Sequence, residues 1–409
     1  DGRSDDEKQP CLNNDACTGK ETCEGIVIDT SLAIGNLKLL SKGQAKFEPI
    51  FPPGVDTKTP IDIDLTSLVG DGTGKIWIAQ YQTLSLTGTY RKSSPIDPIT
   101  SIAIPTPLQG LVAVRNIQYQ NHLLISDVNI KVEIGGTLLT SSTVSLSGVL
   151  VEVAGVIGGV ESLVLGNSAR VFFASSSSYK GSAVGHFKLK NIVVEDGSHL
   201  RFDHAIKTVL NVTDKITVGG QILTAPSQIS SRERLELWSA HIHVRKTGAL
   251  GVFDYEDQKI CKEVKSDGTT DANVHRTSGG DLLIGDVENP VPILQMSGGL
   301  ISANGCKPPN ANRLDPYGGY TGRGGAVEIY ASVFEGDGSV SAGGNSCDGR
   351  IDLEAQRFSE QSILLYTNKK STCTAPEHQP VVEVNETIAS KIGYDCSCSQ
   401  TEVEKIQLN

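Results

Sequence analysis

The sequence is poor in Met, in aromatic residues and in clustered positive charge. Its 409 residues include one Met and 5 % aromatics, and runs of helix-favouring residues are scarce. Val, Ile, Leu, Thr, Ser and Gly dominate instead, which favours an all-β fold. The net charge is −11 without a long basic run, and this argues against nucleic-acid binding, because phosphate contacts need clustered Lys and Arg. No stretch of about 18 apolar residues occurs, so we expect no membrane-spanning helix.

Motifs of the common enzyme classes are also missing. The chain has no Gly-x-Ser-x-Gly, no His-Glu-x-x-His and no phosphate-binding loop, and its Asp and Glu residues are scattered. We therefore predict neither an enzyme nor a bound cofactor. A polysaccharide lyase or hydrolase stays open as an alternative, because carboxylates from distant turns of a β-helix can assemble into one groove.

Glycines punctuate short alternating strands along much of the chain. The clearest example is residues 318–344, where Gly-rich corners flank the alternating segment 326–330. From about residue 121 the recurring unit is an alternating strand, a Gly-containing corner and one aliphatic residue. Alternation places apolar side chains on one side of a strand, and Gly suits corners where another backbone passes closely. The pattern predicts a right-handed parallel β-helix whose turns stack their aliphatic residues into a continuous core.

A large antiparallel sandwich is the rival fold. It would also alternate, and Asp196-Gly197 and Asp337-Gly338 are typical of its hairpin turns. Prolines interrupt the strands before residue 120 and mark edges and turns there. We predict four regions: a Cys-rich arm at 1–25, a β-rich cap or sandwich at 26–120, the parallel β-helix at 121–365 and a Cys-containing extension at 366–409.

Cysteines and glycosylation sequons both indicate secretion. Asn211-Val-Thr213 and Asn385-Glu-Thr387 are acceptor sequences, and the chain starts at Asp1 without an apolar signal segment, as a processed secreted protein does. We predict glycans on Asn211 and Asn385 and an extracellular or cell-surface location. The nine cysteines are an odd number, which leaves at least one unpaired or bonded to another molecule. The predicted disulfide residues are Cys11, Cys17, Cys23, Cys261, Cys306, Cys347, Cys373, Cys396 and Cys398.

Two of these cysteines follow similar segments. Cys306 ends Leu-Ile-Ser-Ala-Asn-Gly-Cys, and Cys347 ends Val-Ser-Ala-Gly-Gly-Asn-Ser-Cys. If the segments stack as neighbouring turns, the sulfurs lie close enough for a bridge. Pairing of each with another cysteine is the alternative. Cys396 and Cys398 are too close in sequence to bridge comfortably, so we expect each to have a different partner.

Two clusters are candidates for a metal site. His241 and His243 share one side of a strand and are able to chelate a metal, although a solvent-facing pair is the commoner arrangement. Asp62, Asp64 and Asp71 lie near Gly-rich turns and form a weak candidate for structural Ca²⁺, with a solvated turn as the default. We predict no metal ligand from either cluster.

The Gly-rich segments Gly318-Gly319, Gly322 to Tyr330 and Gly336 to Gly344 resemble a motif of large secreted or surface proteins of algae, oomycetes and animals. Proteins of the tubular hairs (mastigonemes) on heterokont flagella are similar. The resemblance covers about 50 residues and implies a β-helical stalk in a surface fibre. The clusters Cys11 to Cys23 and Cys396-Ser-Cys398 resemble incomplete pieces of an epidermal-growth-factor-type module.

We therefore predict an extracellular structural glycoprotein that partners with itself. A β-helix ends in open strand edges, and open edges pair with other chains. The strand-like segment 25–39 is suited to donation to the next subunit, and a head-to-tail contact of this kind grows a filament. Pairing of the same segment within its own chain is the alternative. A glycan-binding adhesive module is the alternative function.

Overall fold

The structure is a computed structural model that describes a defined set of residues. They are residues 26–28, 32–33, 36–39, 44–47, 61–64, 67–78, 83–87, 122–140, 142–204, 207–224, 234–251, 279–305, 324–342, 350–358, 361–366, 381–385, 389–394 and 404–408. Two compact units divide the chain, Asp1–Leu163 and Val164–Asn409.

Every regular element in these ranges is a β-strand, as the composition predicts. In chain order they are β1 (Ile26–Ile28), β2 (Leu32–Ala33), β3 (Asn36–Leu39), β4 (Gln44–Phe47), β5 (Ile61–Asp64), β6 (Ser67–Ile78), β7 (Thr83–Thr87), β8 (His122–Val132), β9 (Thr137–Thr140), β10 (Thr143–Ser147), β11 (Leu150–Val153), β12 (Val156–Gly158), β13 (Ser162–Gly166), β14 (Arg170–Phe173), β15 (Ser178–Tyr179), β16 (His186–Val194), β17 (His199–Phe202), β18 (Lys207–Val218), β19 (Gln221–Thr224), β20 (Arg234–Val244), β21 (Ala249–Gly251), β22 (Asp281–Ile284), β23 (Val291–Ser302), β24 (Ala326–Ser341), β25 (Arg350–Phe358), β26 (Gln361–Tyr366), β27 (Val381–Asn385), β28 (Ala389–Tyr394) and β29 (Glu404–Leu408).

Strands of the first unit pair in parallel and form three columns. One column runs β2, β5, β7, β9 and β12. A second runs β3, β6, β8 and β10, and a third runs β1, β4, β6, β8 and β11, so that the long strands β6 and β8 serve both. This parallel pairing differs from that of a sandwich, which joins antiparallel neighbours by hairpins, and the cap or sandwich at 26–120 stays a prediction. The region boundaries at 25, 120 and 365 stay predictions.

The second unit repeats the parallel pairing and stacks its aliphatic residues in register. We call each successive layer of parallel-paired strands a rung. Each inward side chain lies in register with a similar one on the next strand, and each is buried. Burial of one such side chain stabilises the fold by about 1.5–3 kcal/mol. Ladder A contains Ile192, Ile216, Ile242, Leu294 and Phe334. Ladder B contains Leu200, Ile222, Leu250, Ile301 and Val340. Ladder C contains Leu210, Leu237, Ile284, Ile329 and Leu353.

The two Asp-Gly pairs that favoured the rival sandwich do not form hairpins. Gly197 has φ +73° at a corner between β16 and β17, and both strands pair in parallel with later ones. Asp337 and Gly338 lie inside β24, in parallel register with Ser297 and Gly299 of β23. The left-handed conformation that suggested a hairpin is used at Gly197 to turn the chain onto its next strand.

Glycine corners allow successive rungs to approach closely, as the sequence pattern predicts. A Cβ on Gly220 would overlap the carbonyl oxygen of Ser198, and a Cβ on Gly248 would overlap that of Val218. The amide of Ala249 donates to the Gly220 carbonyl oxygen at 2.9 Å across the same corner. A side chain at either glycine would force the rungs apart and break these contacts.

The strands at the two ends of the described chain differ in how they are paired. Among the described residues, β1, β2 and β3 each pair with one strand only, on the side of β4, β5 and β6. At the other end, antiparallel strands cover the parallel ones. β28 lies against β25 and β27, and β29 lies against β26. In the part of the chain that is described, no helix has the length and apolar character needed to cross a bilayer.

Candidate functional site

A column of polar side chains lies on the outward side of the strands that carry ladder A. His243 is in register with Gln295, and Gln295 with Glu335. These positions alternate with buried ladder A residues, so the side chains point away from the core. All three are half-buried. We call His243, Gln295 and Glu335 the polar column.

His241 and His243 lie side by side, as their spacing in the strand predicts. Their ring centroids are 6.3 Å apart, and the ring planes differ by 17°. The Nε2 atom of His243 is 3.1 Å from the hydroxyl oxygen of Ser297 on the neighbouring strand. The pair therefore faces outward and makes polar contacts with β23.

Burial is the main cause that lowers the pKa of both histidines. For His241, the positive charge of Lys215 adds to this effect, while a hydrogen bond with Gln295 and the charge of Glu335 oppose it. For His243, Lys215, Arg245 and His241 add to it, and Glu335 opposes it. Both imidazoles are therefore mainly neutral at pH 7, the form in which a ring nitrogen accepts a hydrogen bond or binds a metal.

A metal site at this pair lacks a third ligand of the usual kind. Among the described ranges, no group of three His, Cys, Asp or Glu side chains lies close enough to hold a metal ion. Of the Ca²⁺ candidates, Asp62 and Asp64 lie on β5, and Asp71 is exposed within β6 next to Gly72, whose φ is +82°. The side chains of Asp62 and Asp64 lie outside the part of the chain that the structure describes, so the Ca²⁺ candidate stays untested.

Two polar contacts bridge over the rung that contains Gly219. The Nη1 atom of Arg245 donates to Oε2 of Glu195 at 3.2 Å. The hydroxyl of Thr247 lies 2.8 Å from both Oδ1 of Asp196 and the Gly219 carbonyl oxygen. Gly219 has no side chain to separate these rungs, and an added Cβ would come within 2.6 Å of Asp196 Oδ1. The glycine thus allows direct contact between side chains two rungs apart.

His204 is buried in a small polar network inside the second unit. Its Nε2 atom is 3.1 Å from the Ser177 carbonyl oxygen and 3.1 Å from the Ser177 hydroxyl. Its Nδ1 atom is 3.0 Å from the Thr208 hydroxyl. Because a carbonyl oxygen only accepts, the proton belongs on Nε2, and Nδ1 accepts from Thr208. Burial lowers the pKa of His204, with a smaller contribution from His186 and an opposing one from the Ser177 carbonyl.

Aromatic rings surround this buried histidine. Phe173 and Phe202 stack with centroids 5.1 Å apart, and Phe187 lies 4.7 Å from Phe173. The imidazole of His204 meets Phe187 edge-on at 5.7 Å. A nearly fully buried Ser–His–Thr network in an aromatic shell has no access for a substrate, so we assign it a structural role: it satisfies polar groups in the core.

A charged cluster occupies the outward side of the strands that carry ladder C. Glu236 forms two salt bridges: its Oε1 atom lies 2.8 Å from Arg234 Nε, and its Oε2 atom lies 3.1 Å from Lys207 Nζ. The Glu236 carboxylate is largely buried, whereas both cations are more exposed. Two positive partners compensate for the burial of one negative charge.

The acceptor asparagines of both sequons lie on strands. Asn211 is exposed on β18, in register with Lys188 of β16 and Trp238 of β20. Thr213, the third residue of that sequon, is exposed as well. Asn385 ends β27 and pairs with Ala389 of β28. The exposed side chain of Asn211 is compatible with a glycan, and both glycans stay predictions.

All nine predicted disulfide cysteines lie outside the described residues. The segments that lead to Cys306 and Cys347 are described, and they stack as the sequence predicted: Ile301 is in register with Val340, and Ser302 with Ser341. The hydroxyl of Ser341 donates to Oδ1 of buried Asn304 at 2.5 Å, which ties the two rungs together just before both cysteines. The bridge itself stays a prediction.

Comparison with known proteins gives no relative. No family model, no curated protein and no solved structure matches this chain. Function must therefore be argued from the strands and side chains themselves.

The sequence alone did not reveal the partners of buried His204 or of outward-facing Asn211. His204 meets Ser177 across 27 positions of the chain, and Asn211 lies in register with Trp238 on another strand. No local motif connects the residues of either pair, whereas Thr208, the other partner of His204, follows it by four positions.

Proposed function

We propose that each unit is a right-handed parallel β-helix and that the protein is an extracellular structural glycoprotein which self-assembles head to tail into filaments. The parallel columns and the three aliphatic ladders support the β-helix. The cysteine distribution and the sequons support secretion, and the Gly-rich resemblance to tubular flagellar hair proteins supports a surface fibre.

The observation that carries the assembly is the difference between the two ends. Among the described residues, β1, β2 and β3 are each paired on one side only, and the proposal assigns the backbone N–H and C=O groups of their other side to a strand of another copy. The antiparallel strands that cover β25 and β26 have outer edges at β27 and β29. We assign these outer strands of one copy to the open edge of the next.

Such a contact joins two different surfaces and does not close on itself. A heterologous contact without a closing rotation adds copies indefinitely, which makes a fibre rather than a dimer. The odd cysteine count supplies a residue for a covalent bond between neighbours. A glycan on Asn211 would cover the side of the fibre, and one on Asn385, at the end of β27, would lie near the junction between two copies.

Negative-stain electron microscopy of the purified native protein, with and without reductant, tests the assembly. We expect fibres with a regular repeat, which shorten under reductant. A peptide of residues 381–394, which contains β27 and β28, should shorten the fibres by occupying the open edge. A scrambled peptide of the same composition should leave their length unchanged. Single particles at high protein concentration without reductant would contradict self-assembly.

A glycan-binding surface is the second candidate function. The polar column favours it, because His243, Gln295 and Glu335 offer donors and acceptors at the spacing of adjacent strands, about 4.8 Å. Retention of the monomer on a glycan array, and loss of that retention in Gln295→Ala with unchanged melting temperature, would support this function. Equal retention of both proteins would exclude the polar column as the binding site.

A further inference from the structure

We infer that Trp238 is the docking surface for the first sugar of a glycan linked to Asn211. The inference rests on the proposed function, which places the chain in a secretory compartment where sequons are glycosylated. It adds a residue outside the sequon, on another strand, that binds the sugar.

The register places the two side chains next to each other. Asn211 of β18 is directly opposite Trp238 of β20 in a parallel pair, and both lie on the outward side of their strands. Neighbouring strands are about 4.8 Å apart, so in-register side chains on one side are in mutual reach. Asn211 is exposed and Trp238 is half-buried, which leaves part of the indole accessible.

The regular pairing of β18 with β20 is interrupted within the sequon itself. The register between β18 and β20 shifts between Val212 and Lys215, and Thr213 and Asp214 in this bulge are both exposed. A bulge interrupts the regular pairing and spreads the outward side chains. The first sugar therefore has room beside Asn211 without displacing a paired strand.

On the side of Trp238 opposite Asn211, the in-register position of the next strand is a glycine, which has no side chain. The amide of Gly285 donates to the Leu237 carbonyl oxygen at 3.0 Å, which puts Gly285 next to Trp238 on the following strand. A Cβ on Gly285 would come within 2.6 Å of the Tyr330 carbonyl oxygen, so the position requires glycine. Trp238 thus has Asn211 on one side and a residue without a side chain on the other.

The chemistry of the two groups is complementary. One face of an N-acetylglucosamine ring presents C–H bonds, and an indole ring is a flat apolar surface with a negative face. Contact between them removes apolar area of both from water. Lys188, the other neighbour of Asn211, offers a charged flexible chain instead of a flat surface.

The test compares two proteins from the same cells, which make only high-mannose glycans. One is the wild type trimmed by an endoglycosidase that leaves a single sugar on each asparagine. The other is Thr213→Ala, which keeps Asn211 but cannot be glycosylated there. The readout is the rate of hydroxyl-radical oxidation at Trp238, resolved by mass spectrometry, with Trp77 as the internal reference.

We expect oxidation of Trp238 to be about threefold faster in Thr213→Ala, a ratio typical of the free energy of one aromatic contact. Trp77 should not change. The matched control, Asn385→Gln, removes the other sequon and should leave the Trp238 rate unchanged. Equal rates at Trp238, with mass spectrometry showing a sugar on Asn211, would overturn this inference and leave the proposed assembly intact. An Asn211 without sugar would overturn the inference together with the glycoprotein part of the proposed function.

A second measurement covers the case in which Thr213→Ala does not fold. In trimmed wild type carrying a ¹³C-labelled sugar, the indole ring current should shift the sugar proton resonances of Asn211 upfield. Trp238→Leu should abolish that shift, and the resonances of the Asn385 sugar should not move. Unchanged resonances in Trp238→Leu would overturn the inference.

Discussion

Strand β20 has two sides that follow different rules. Ile242 and Val244 face inward, are fully buried and lie in register with Ile216 and Val218. His241 and His243 face outward, and the contact of His243 with Ser297 joins residues 54 positions apart in the chain. The inner side repeats one type of residue from rung to rung, whereas each outward position has its own partners. Stability therefore depends on the inner side, and the individual chemistry of the protein lies on the outer side.

The largest difference between the two sides of β20 is expected when a negative charge is placed on each side in turn. Ile242→Asp would bury a carboxylate in ladder A without a partner, and we expect a loss of more than about 4 kcal/mol in the free energy of unfolding. The matched change one residue away, His243→Asp, should cost less than about 1 kcal/mol because its side chain reaches water. Urea unfolding followed by circular dichroism measures both. Equal losses would show that the two sides do not differ.

A smaller loss of stability is expected when a glycine is replaced at a corner where two rungs approach closely. In Gly220→Ala the new Cβ would overlap the Ser198 carbonyl oxygen, so the rungs must separate and we expect a loss of about 1–3 kcal/mol. Gly166→Ala is the control, because no atom lies within 4 Å of a Cβ placed there. Thermal melting compares the two variants. A Gly220→Ala protein as stable as Gly166→Ala would contradict the close approach.

The buried histidine should make stability depend on pH more than the outer pair does. The pKa of His204 is lowered from its usual 6.5, so the unfolded chain takes up a proton at higher pH than the folded one. The free energy of unfolding should therefore fall as pH drops below about 6.5, until the folded protein is also protonated. Urea unfolding at pH 7.5 and 5.5 measures the difference.

His204→Gln should remove most of this pH dependence. The double variant His241→Gln/His243→Gln should remove less, because the outer pair is more exposed and its pKa values are shifted in the same direction with less burial. A double variant that removes more of the pH dependence than His204→Gln would contradict the larger role of the buried histidine.

The smallest effect is expected for the ion pair on the outer surface. Arg245 and Glu195 are 43 % and 44 % exposed, so water and salt screen their attraction. A double-mutant cycle with Arg245→Ala and Glu195→Gln should give a coupling of about 0.2–1 kcal/mol that decreases at high salt. A coupling above this range that persists at high salt would mean that the outer side contributes to stability as a network.

The sequence predicted what repeats locally. Alternation in segments such as residues 241–244 identified the inward residues, and the glycine corners identified where the chain turns. It did not predict the parallel columns of residues 26–87, because frequent prolines there masked the rhythm. It did not predict the His204 network or the pair Asn211 and Trp238 either, since both depend on the register between rungs. Asp196-Gly197 misled in the other direction, because one dipeptide serves both a hairpin and a corner between parallel-paired strands.

Register is preserved where the chain between two rungs becomes longer. Ala249 of β21 pairs with Leu300 of β23, and Ile242 pairs with Leu294, although residues 252–278 intervene. Closing a longer loop costs only about 0.6 kcal/mol for each doubling of its length. The chain between β21 and β22 is therefore a suitable insertion point, at which a tag, an epitope or a whole domain can be added for engineering while the ladders keep their partners.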